Sequence, residues 1–373
     1  NRMAELGRNS PGGGIFSRLS SLGGLFSFSG GETAVGLSIG SSSIKLVELK
    51  KSGKAWKLLH FGIVQLPDDV IVNREIVNPI AVVESLRTLS SQIRLKSKNV
   101  CTALSGTSLI IKRMQLEIPN KKDIQDQVFW EAEQYIPFDV SDVVMDYQLL
   151  ARSKDAKTDV LLVAVKKAVL ESYMQAIDGA GLKPKIVDVD YFALQNLFET
   201  NYPITPSEAV AIVDIGASSL KLVVVQNGVP IFTKDAALGG KNLTLEIQKH
   251  LNVSFADAEG LKLGGPGSGV PQEVNDLIQV MNENFATEIK RALDFYDASS
   301  TGASVSYVLL AGGSSKLPML SKTIEDVVGK PAQLMNPFNA ISYDPAVFTP
   351  DYVGNIGPIA SVAMGLAIRA GSG

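Results

Sequence analysis

Residues 39–47 read Ile-Gly-Ser-Ser-Ser-Ile-Lys-Leu-Val, and residues 215–223, 176 positions later, read Ile-Gly-Ala-Ser-Ser-Leu-Lys-Leu-Val, identical at seven of nine places. An internal repeat at that distance makes each half of the chain open with the same strand–turn–strand unit. Gly40 and Gly216 allow a tight turn and let a ligand approach the main chain closely. Ser41, Ser42 and Ser43, like Ala217, Ser218 and Ser219, are small, so backbone N–H groups and hydroxyls can converge on one anion. Lys45 and Lys221 either add positive charge there or, by strand alternation, face solvent. Two such hairpins facing each other across a cleft would grip the β- and γ-phosphates of a nucleotide from both sides. The chain carries no Walker-type G-x-x-x-x-G-K-[ST].

At 373 residues the chain is too long for one ordinary core, which agrees with two lobes. Apolar residues make up 45% and charged residues 20%, the balance of a soluble globular protein. A net charge of −3 gives no sign of broad electrostatic capture of nucleic acid and leaves room for a local basic patch. The one cysteine, Cys101, leaves no intramolecular disulfide and sits in an apolar strand-like run, as a buried thiol would. His60 and His250 alone give triads and His-rich metal sites little to build on. No run of about 18 apolar residues exists, so no bilayer-spanning helix is expected. Residues 1–32 are Gly- and Ser-rich and are expected to be disordered, without a signal-peptide core. Within them Ile15, Leu19, Leu22 and Phe26 recur at helical spacing, either as scattered apolar residues or as a short helix that docks on a partner or membrane.

Periodicity predicts strands over 33–49, 56–64, 100–104, 108–118, 144–151, 159–165 and 185–189, a further strand–turn–strand from 209, and a buried strand over 306–311. Helices are predicted over 79–93, 121–135, 167–179, 192–199, 242–250, 274–296 and 359–369. Residues 201–206, with two prolines, form a plausible hinge between halves, and 264–269 a glycine-rich loop.

The repeat resembles the phosphate-1 and phosphate-2 loops of the actin/Hsp70/sugar-kinase superfamily, and further motifs follow in that superfamily's order. Asp-Tyr-Phe-Ala-Leu from Asp190 resembles the acidic connecting motif and lies 24 residues before Asp214. Leu-Gly-Gly-Lys-Asn-Leu at 238–243 is similar to the turn after phosphate-2, which brings in Gly239 and Gly240. Ala-Glu-Gly-Leu-Lys at 258–262 resembles the helix lining ribose and adenine, with Glu259 and Lys262. Leu-Ala-Gly-Gly-Ser-Ser-Lys-Leu-Pro at 310–318 resembles the adenosine loop, with Gly312, Gly313, Ser314 and Lys316. The resemblance implies an α/β, actin-like two-lobed fold of duplicated RNase H-like lobes that binds ATP and Mg²⁺. Asp190 and Asp214 are its candidate catalytic acids and its contacts to the metal through water.

Within the superfamily the chain resembles the PilM proteins of type IV pilus assembly, relatives of FtsA. Trp-Glu-Ala-Glu-Gln-Tyr-Ile-Pro-Phe at 130–138, then Met-Asp-Tyr-Gln at 145–148, is similar to their E-A-E-x-Y-I-P-F … D-Y-Q signature. Read without the family, Trp130 and Tyr135 could cap a core while Glu131 and Glu133 solvate a helix face; the cluster could equally hold an apolar, basic peptide. The resemblance implies residues 33–77, 166–206 and 340–373 as subdomain 1A, 78–165 as an inserted subdomain 1C, 207–240 and 306–339 as 2A, and 241–305 as 2B. It further implies a cytoplasmic protein recruited to the bacterial inner membrane only through partners. Trp130, Glu131, Glu133, Tyr135, Ile136 and Pro137 would hold the cytoplasmic tail of a PilN-like membrane protein. That tail belongs to a PilN/PilO complex, with pilus motor ATPases as further contacts.

One position departs from the pattern. Where the second copy has Asp214 the first has Ser38, and active ATPases of this superfamily usually keep an acid at both. A hydroxyl lacks the charge that helps hold hydrated Mg²⁺, so the resemblance implies ATP binding with slow or absent hydrolysis. The same serine argues against a small-molecule kinase. An FtsA-like filament former on membranes is the other alternative; the chain stops close behind its last predicted helix, without the terminal amphipathic anchor such proteins carry.

Overall fold

The computed structural model describes residues 33–117, 124–152, 157–264, 269–299 and 302–372. The segment 1–32, with its candidate short helix, and most of the 264–269 loop lie outside the described residues.

Strands β1 (Thr33–Ile39), β2 (Ser43–Ser52) and β3 (Ala55–Gln65) form an antiparallel meander. The Gly40 N–H, donating to the Ser43 carbonyl at 3.0 Å, closes its first turn. A ribbon of β4 (Ile71–Val72) and β5 (Glu75–Ile76) follows. Helix α1 (Pro79–Gln92) starts where Asn78 accepts from the Ala81 N–H and proline takes the first turn, and it lays Val82, Leu86 and Leu89 on the sheet. Strand β6 (Asn99–Leu104) then runs parallel to β1.

A second layer interrupts this lobe. Strands β7 (Leu109–Glu117), β8 (Val143–Arg152) and β9 (Lys157–Lys166) make a three-stranded sheet in the order β7-β9-β8. Helix α2 (Ile124–Ala132) covers it through Val128 and Ala132, which pack with Met114, Leu116, Val160 and Leu162. Sequence reading placed α1 and β6 inside the insertion at 78–165. By packing and pairing both belong to the first sheet, and the separate layer spans β7 to β9.

Helix α3 (Lys167–Gly179) leads back to β10 (Lys183–Val189), parallel to β6, and then to α4 (Asp190–Asn201). The second lobe repeats the plan: β11 (Ala209–Ile215), β12 (Leu220–Gln226) and β13 (Val229–Ala236), then α5 (Gly240–Leu251), α6 (Phe255–Gly264) and α7 (Gln272–Ser299), then β14 (Val305–Ala311). Helix α8 (Leu320–Val328), β15 (Ala332–Leu334), the two-residue β16 (Ile341–Ser342) and α9 (Pro350–Ala370) complete the chain.

The first sheet runs β10-β6-β1-β2-β3-β16 and the second β13-β12-β11-β14-β15. Apart from β16 the two orders correspond strand for strand. The hairpin registers correspond as well: Ser38 faces Lys45 in the first and Asp214 faces Lys221 in the second. A nine-residue echo in the sequence is thus the visible part of a duplicated lobe.

Helices α4 and α9 lie between the lobes, and one core cluster joins Leu194, Leu197, Ala363 and Ala367 to Val210, Ile212, Val223 and Leu309 of the second sheet. Small residues set the spacing. A Cβ on Gly365 would lie 1.8 Å from the Ala193 carbonyl oxygen, and one on Gly36 would lie 1.9 Å from that of Ala363. Helix α9 starts nine residues before its predicted first residue and runs through Pro358. Capping by Thr349 and burial on both sides outweigh the hydrogen bond the proline removes. By length and composition α9 reaches what a bilayer crossing needs, unlike the expectation above, yet most of it is buried in this core.

Candidate functional site

The two repeated turns face each other. The Ser218 hydroxyl donates to the Ser41 hydroxyl at 2.8 Å, tying the second hairpin to the first. Each lysine is directed inward, as its side-chain contacts show. Lys221 is 3% exposed and bonds Asp190, at the start of α4, and Asp214 at 3.3 Å. A buried ammonium between two carboxylates is stable only because each charge has a partner. Lys45 donates to the Ser43 hydroxyl at 3.0 Å. Its ammonium is held below the usual lysine range, chiefly by burial; Asp214 and Asp190 oppose that effect while Lys221 and Arg74 add to it. Burial also works against ionisation of Asp190, but Lys221 and Arg74 outweigh it, and its carboxyl lies below the ordinary aspartate value.

Around the second hairpin the predicted loops assemble. The Gly240 N–H donates to the Gly216 carbonyl at 2.9 Å and the Lys241 N–H to the Ala217 carbonyl at 2.7 Å, so the first turn of α5 abuts the turn of the second hairpin. The Ser314 hydroxyl donates to the same Gly216 carbonyl at 3.0 Å. Gly312 has φ +87°, and a Cβ there would lie 2.4 Å from the Ile215 carbonyl oxygen and 2.5 Å from Asp214 Oδ1. Only glycine fits this approach. Gly239 is likewise pressed against Ala217, whose carbonyl oxygen a Cβ would meet at 2.4 Å. Lys262 donates to Glu259 at 2.6 Å, to Thr244 at 2.9 Å and to the Gly240 carbonyl at 3.4 Å, which brings the α6 motif to the same corner.

Lys316 is placed differently. It bonds Asn355 on α9, at 2.8 Å to Oδ1 and 3.3 Å to the carbonyl, and ties its loop to that helix. A Cβ on Gly313 would meet nothing within 4 Å. Ser42 is exposed at the tip of the first turn. Two contacts across the cleft were not foreseen from the sequence: Lys241 donates to Asp68 at 2.9 Å, and Arg74 donates to the Ser219 hydroxyl. Arg74 leaves no ready signal in the sequence, because Asn73-Arg74 lacks the glycine that ordinarily marks a two-residue hairpin turn.

The donor set suits a polyphosphate. Two glycine turns, the start of a helix and the cations Lys45, Lys221 and Arg74 come together here, and the acids Asp190 and Asp214 are already paired with Lys221. For a metal the fit is looser. No group of three or more His, Cys, Asp or Glu that could hold an ion occurs among the described residues. A cavity of 490 Å³ beside α7 has Lys234, Asp235, Asn284, Glu288 and Arg291 in its wall, and Asp235 pairs across the strands with Lys221 of the second hairpin.

The second candidate surface is on the insertion. Trp130 is 65% exposed and Tyr135 40%, so neither caps a core. Glu133 and Pro137 are exposed and Glu131 is half-buried. Lys112 stands 4.7 Å from the Tyr135 ring centre and Lys166 stands 4.3 Å from that of Phe138. Ile136, expected at the partner surface, is instead buried in the core of the inserted layer with Val128 and Ala132.

Comparison with known proteins agrees with this architecture. A chain in a solved PilM-PilN type IV pilus biogenesis complex superposes with a TM-score of 0.81 at 29% identity, over 90% of this chain and 98% of that one. The ethanolamine utilization protein EutJ of Carboxydothermus hydrogenoformans superposes at 0.56 with 17% identity, over 91% and 90% of the two chains, a likeness of fold alone. The cell division protein FtsA of Bacillus subtilis (strain 168) is 24% identical over 259 residues. That match takes in 62% of this chain and 57% of FtsA, so the chain spans little more than half of that relative. The family described as type IV pilus assembly protein PilM matches residues 36–371. With its duplicated actin-like lobes and paired glycine hairpins, the chain belongs to the PilM family of type IV pilus assembly proteins.

Proposed function

We propose that this chain is an ATP-binding adaptor of type IV pilus assembly, holding nucleotide between its two hairpins and a PilN-like cytoplasmic peptide on its inserted layer. The observation that carries the reading is the match of residues 36–371 to the PilM family, together with the likeness to a chain of a PilM-PilN complex over 98% of that chain's length. The FtsA-like reading rests on a shorter match, over 259 residues, and is not adopted.

In the nucleotide cleft, Gly40, Ser41, Ser43, Gly216, Ala217 and Ser218 would present main-chain and hydroxyl donors to the phosphates, with Lys45 and Lys221 supplying charge. Gly239, Gly240, Glu259, Lys262, Gly312 and Ser314 would line the nucleoside, since their contacts converge on the turn at Gly216. Bound Mg²⁺ would neutralise phosphate charge, and Asp190 and Asp214 could reach its water shell only by sharing or giving up Lys221. Ser38 offers a neutral hydroxyl where the second hairpin offers a carboxylate, so the arrangement favours holding ATP over hydrolysing it.

On the inserted layer, Trp130 and Tyr135 offer exposed aromatic area while Glu131 and Glu133 supply negative charge for a basic, apolar tail. Recruitment to the cytoplasmic face of the inner membrane would then follow from the partner. We assign subdomain 1C to the layer from β7 to β9, and 1A, 2A and 2B otherwise as the sequence resemblance implied. Titrating the chain with the cytoplasmic peptide of the PilN-like protein, and following Trp130 emission, tests the reading. A saturable shift that Trp130→Phe abolishes supports it, and no binding with or without ATP refutes it.

A further inference from the structure

The short ribbon β4–β5 is built to deliver one side chain. Its two-residue turn places Asn73 at φ +49° and Arg74 at φ +69°. Consecutive left-handed residues are the mark of a type I′ turn, where the second place is ordinarily glycine. An arginine there gives up conformational ease, and its surroundings hold it in place. The Tyr173 hydroxyl of α3 donates to the Arg74 carbonyl at 3.0 Å. Gly106, at φ +98°, forms a seat for the start of the side chain: a Cβ there would lie 2.7 Å from Arg74 Cγ and 3.0 Å from its Cβ. From this first-lobe anchor the guanidinium crosses the cleft and donates to the Ser219 hydroxyl of the second hairpin.

We propose that Arg74 is a third phosphate-gripping cation of the cleft, taking the terminal phosphates of a nucleoside triphosphate from the side of the first lobe. The proposal rests on the nucleotide reading above and adds a residue that none of the repeated motifs contains. Guanidinium is planar and offers five donors, a geometry that matches phosphate oxygens in pairs. Its partner here is a neutral serine, which a phosphate can displace or share without leaving a buried carboxylate unpaired. Arg74 also shares its surroundings with Lys45 and Asp190, whose ionisation it biases in opposite senses. Asp190 and Asp214 are spent on Lys221, which leaves Lys45 and Arg74 as the cations of this group not bonded to those two acids. With Ser38 in place of an acid, side-chain charge supplies attraction for the polyphosphate that a metal-centred site would obtain from its ion.

The test is calorimetric titration of the full chain with ATP, ADP and adenosine, in wild type, Arg74→Gln and Arg74→Lys. Loss of a charge-assisted contact predicts an ATP dissociation constant raised about tenfold to a hundredfold in Arg74→Gln. ADP should be affected less and adenosine not at all. Arg74→Lys, which keeps the charge without the fork, should fall between. Melting temperatures of both variants report folding, and Arg74→Lys keeps the test open should Arg74→Gln fold poorly. An unchanged ATP affinity in a folded variant overturns the proposal. So does an equal loss for adenosine and ATP, which would make Arg74 a lobe tie only. Wild type that fails to bind ATP removes the nucleotide reading itself, an outcome distinct from both.

Discussion

Lys221 is the buried cation on which the second hairpin and the start of α4 both depend, and its removal has a calculable signature. Lys221→Met keeps the length and apolar character of a side chain that is 3% exposed. It leaves Asp190 and Asp214, both deeply buried, facing each other without their shared counter-ion. Breaking a buried ion pair on one side costs about 3–5 kcal/mol, mostly the penalty of the charge left behind. For a chain of this size that corresponds to a melting temperature lower by roughly 4–6 °C. The loss should depend on pH. In the wild type the folded Asp190 carboxyl lies below its unfolded value, so its contribution is present above the unfolded value, near 4, and fades as pH falls through the folded one. In Lys221→Met the pair instead resists ionisation, so the deficit should be largest at pH 7–8 and shrink below about pH 5 as a proton is taken up. Differential scanning calorimetry across pH 4.5–8, with the double variant Lys221→Met/Asp190→Asn, measures this. The double variant should recover most of the loss at pH 8. A deficit of equal size at both ends of the range, or none at all, would refute the reasoning.

Three further outcomes follow from the same contacts. Burial pushes the Asp188 carboxyl up to about 6, with the Val189 N–H and Arg369 opposing the rise. The folded state therefore takes up this proton first, stability falls as pH rises from about 4 to 6, and Asp188→Asn should flatten that slope and gain about 2–3 kcal/mol at neutral pH. Denaturant titration at pH 5 and 7.5 checks it. Gly365→Ala places a methyl 1.8 Å from the Ala193 carbonyl oxygen, so α4 and α9 must separate. A destabilisation at or above the upper end of the usual 1–3 kcal/mol for overpacking is expected in thermal melts. Trp130→Ser removes a residue that is 65% exposed. Stability should hold within about 0.5 kcal/mol while affinity for the PilN-like peptide falls about tenfold or more, by fluorescence anisotropy.

Much of this architecture was legible because it is repeated. Gly40 and Gly216 each sit between apolar strands, and the pairings Ser38–Lys45 and Asp214–Lys221 follow once both hairpins close at the same residue. Helices with a long apolar stripe, such as α3 and α7, were readable for the same reason: the period of burial is the period of the sequence. The direction of the lysines was not legible. Alternation separates two faces of a strand but does not say which face a second lobe will cover. Strand β13 is half-buried along most of its length and leaves no alternating pattern, and α8 is only nine residues long. Helix α9 escaped at its start because Pro358 reads as a boundary, whereas packing against two sheets carries the helix through it. Arg74 escaped because its role depends on a left-handed turn and on a seat at Gly106, which sequence separation hides. Ile136 was read with its aromatic neighbours as surface, although it falls in line with Val128 and Ala132 on the buried face of α2 and the turn that follows it.

The asymmetry between Ser38 and Asp214 carries the central claim, that the paired hairpins hold ATP and do not turn it over efficiently. The direct measurement is ATP affinity and single-turnover hydrolysis of the purified chain, wild type beside Ser38→Asp, with Mg²⁺ present. The account predicts that both bind ATP, that wild type releases phosphate at or near the uncatalysed rate, and that Ser38→Asp releases it faster. Efficient hydrolysis by wild type, or no ATP binding by either protein, would contradict it.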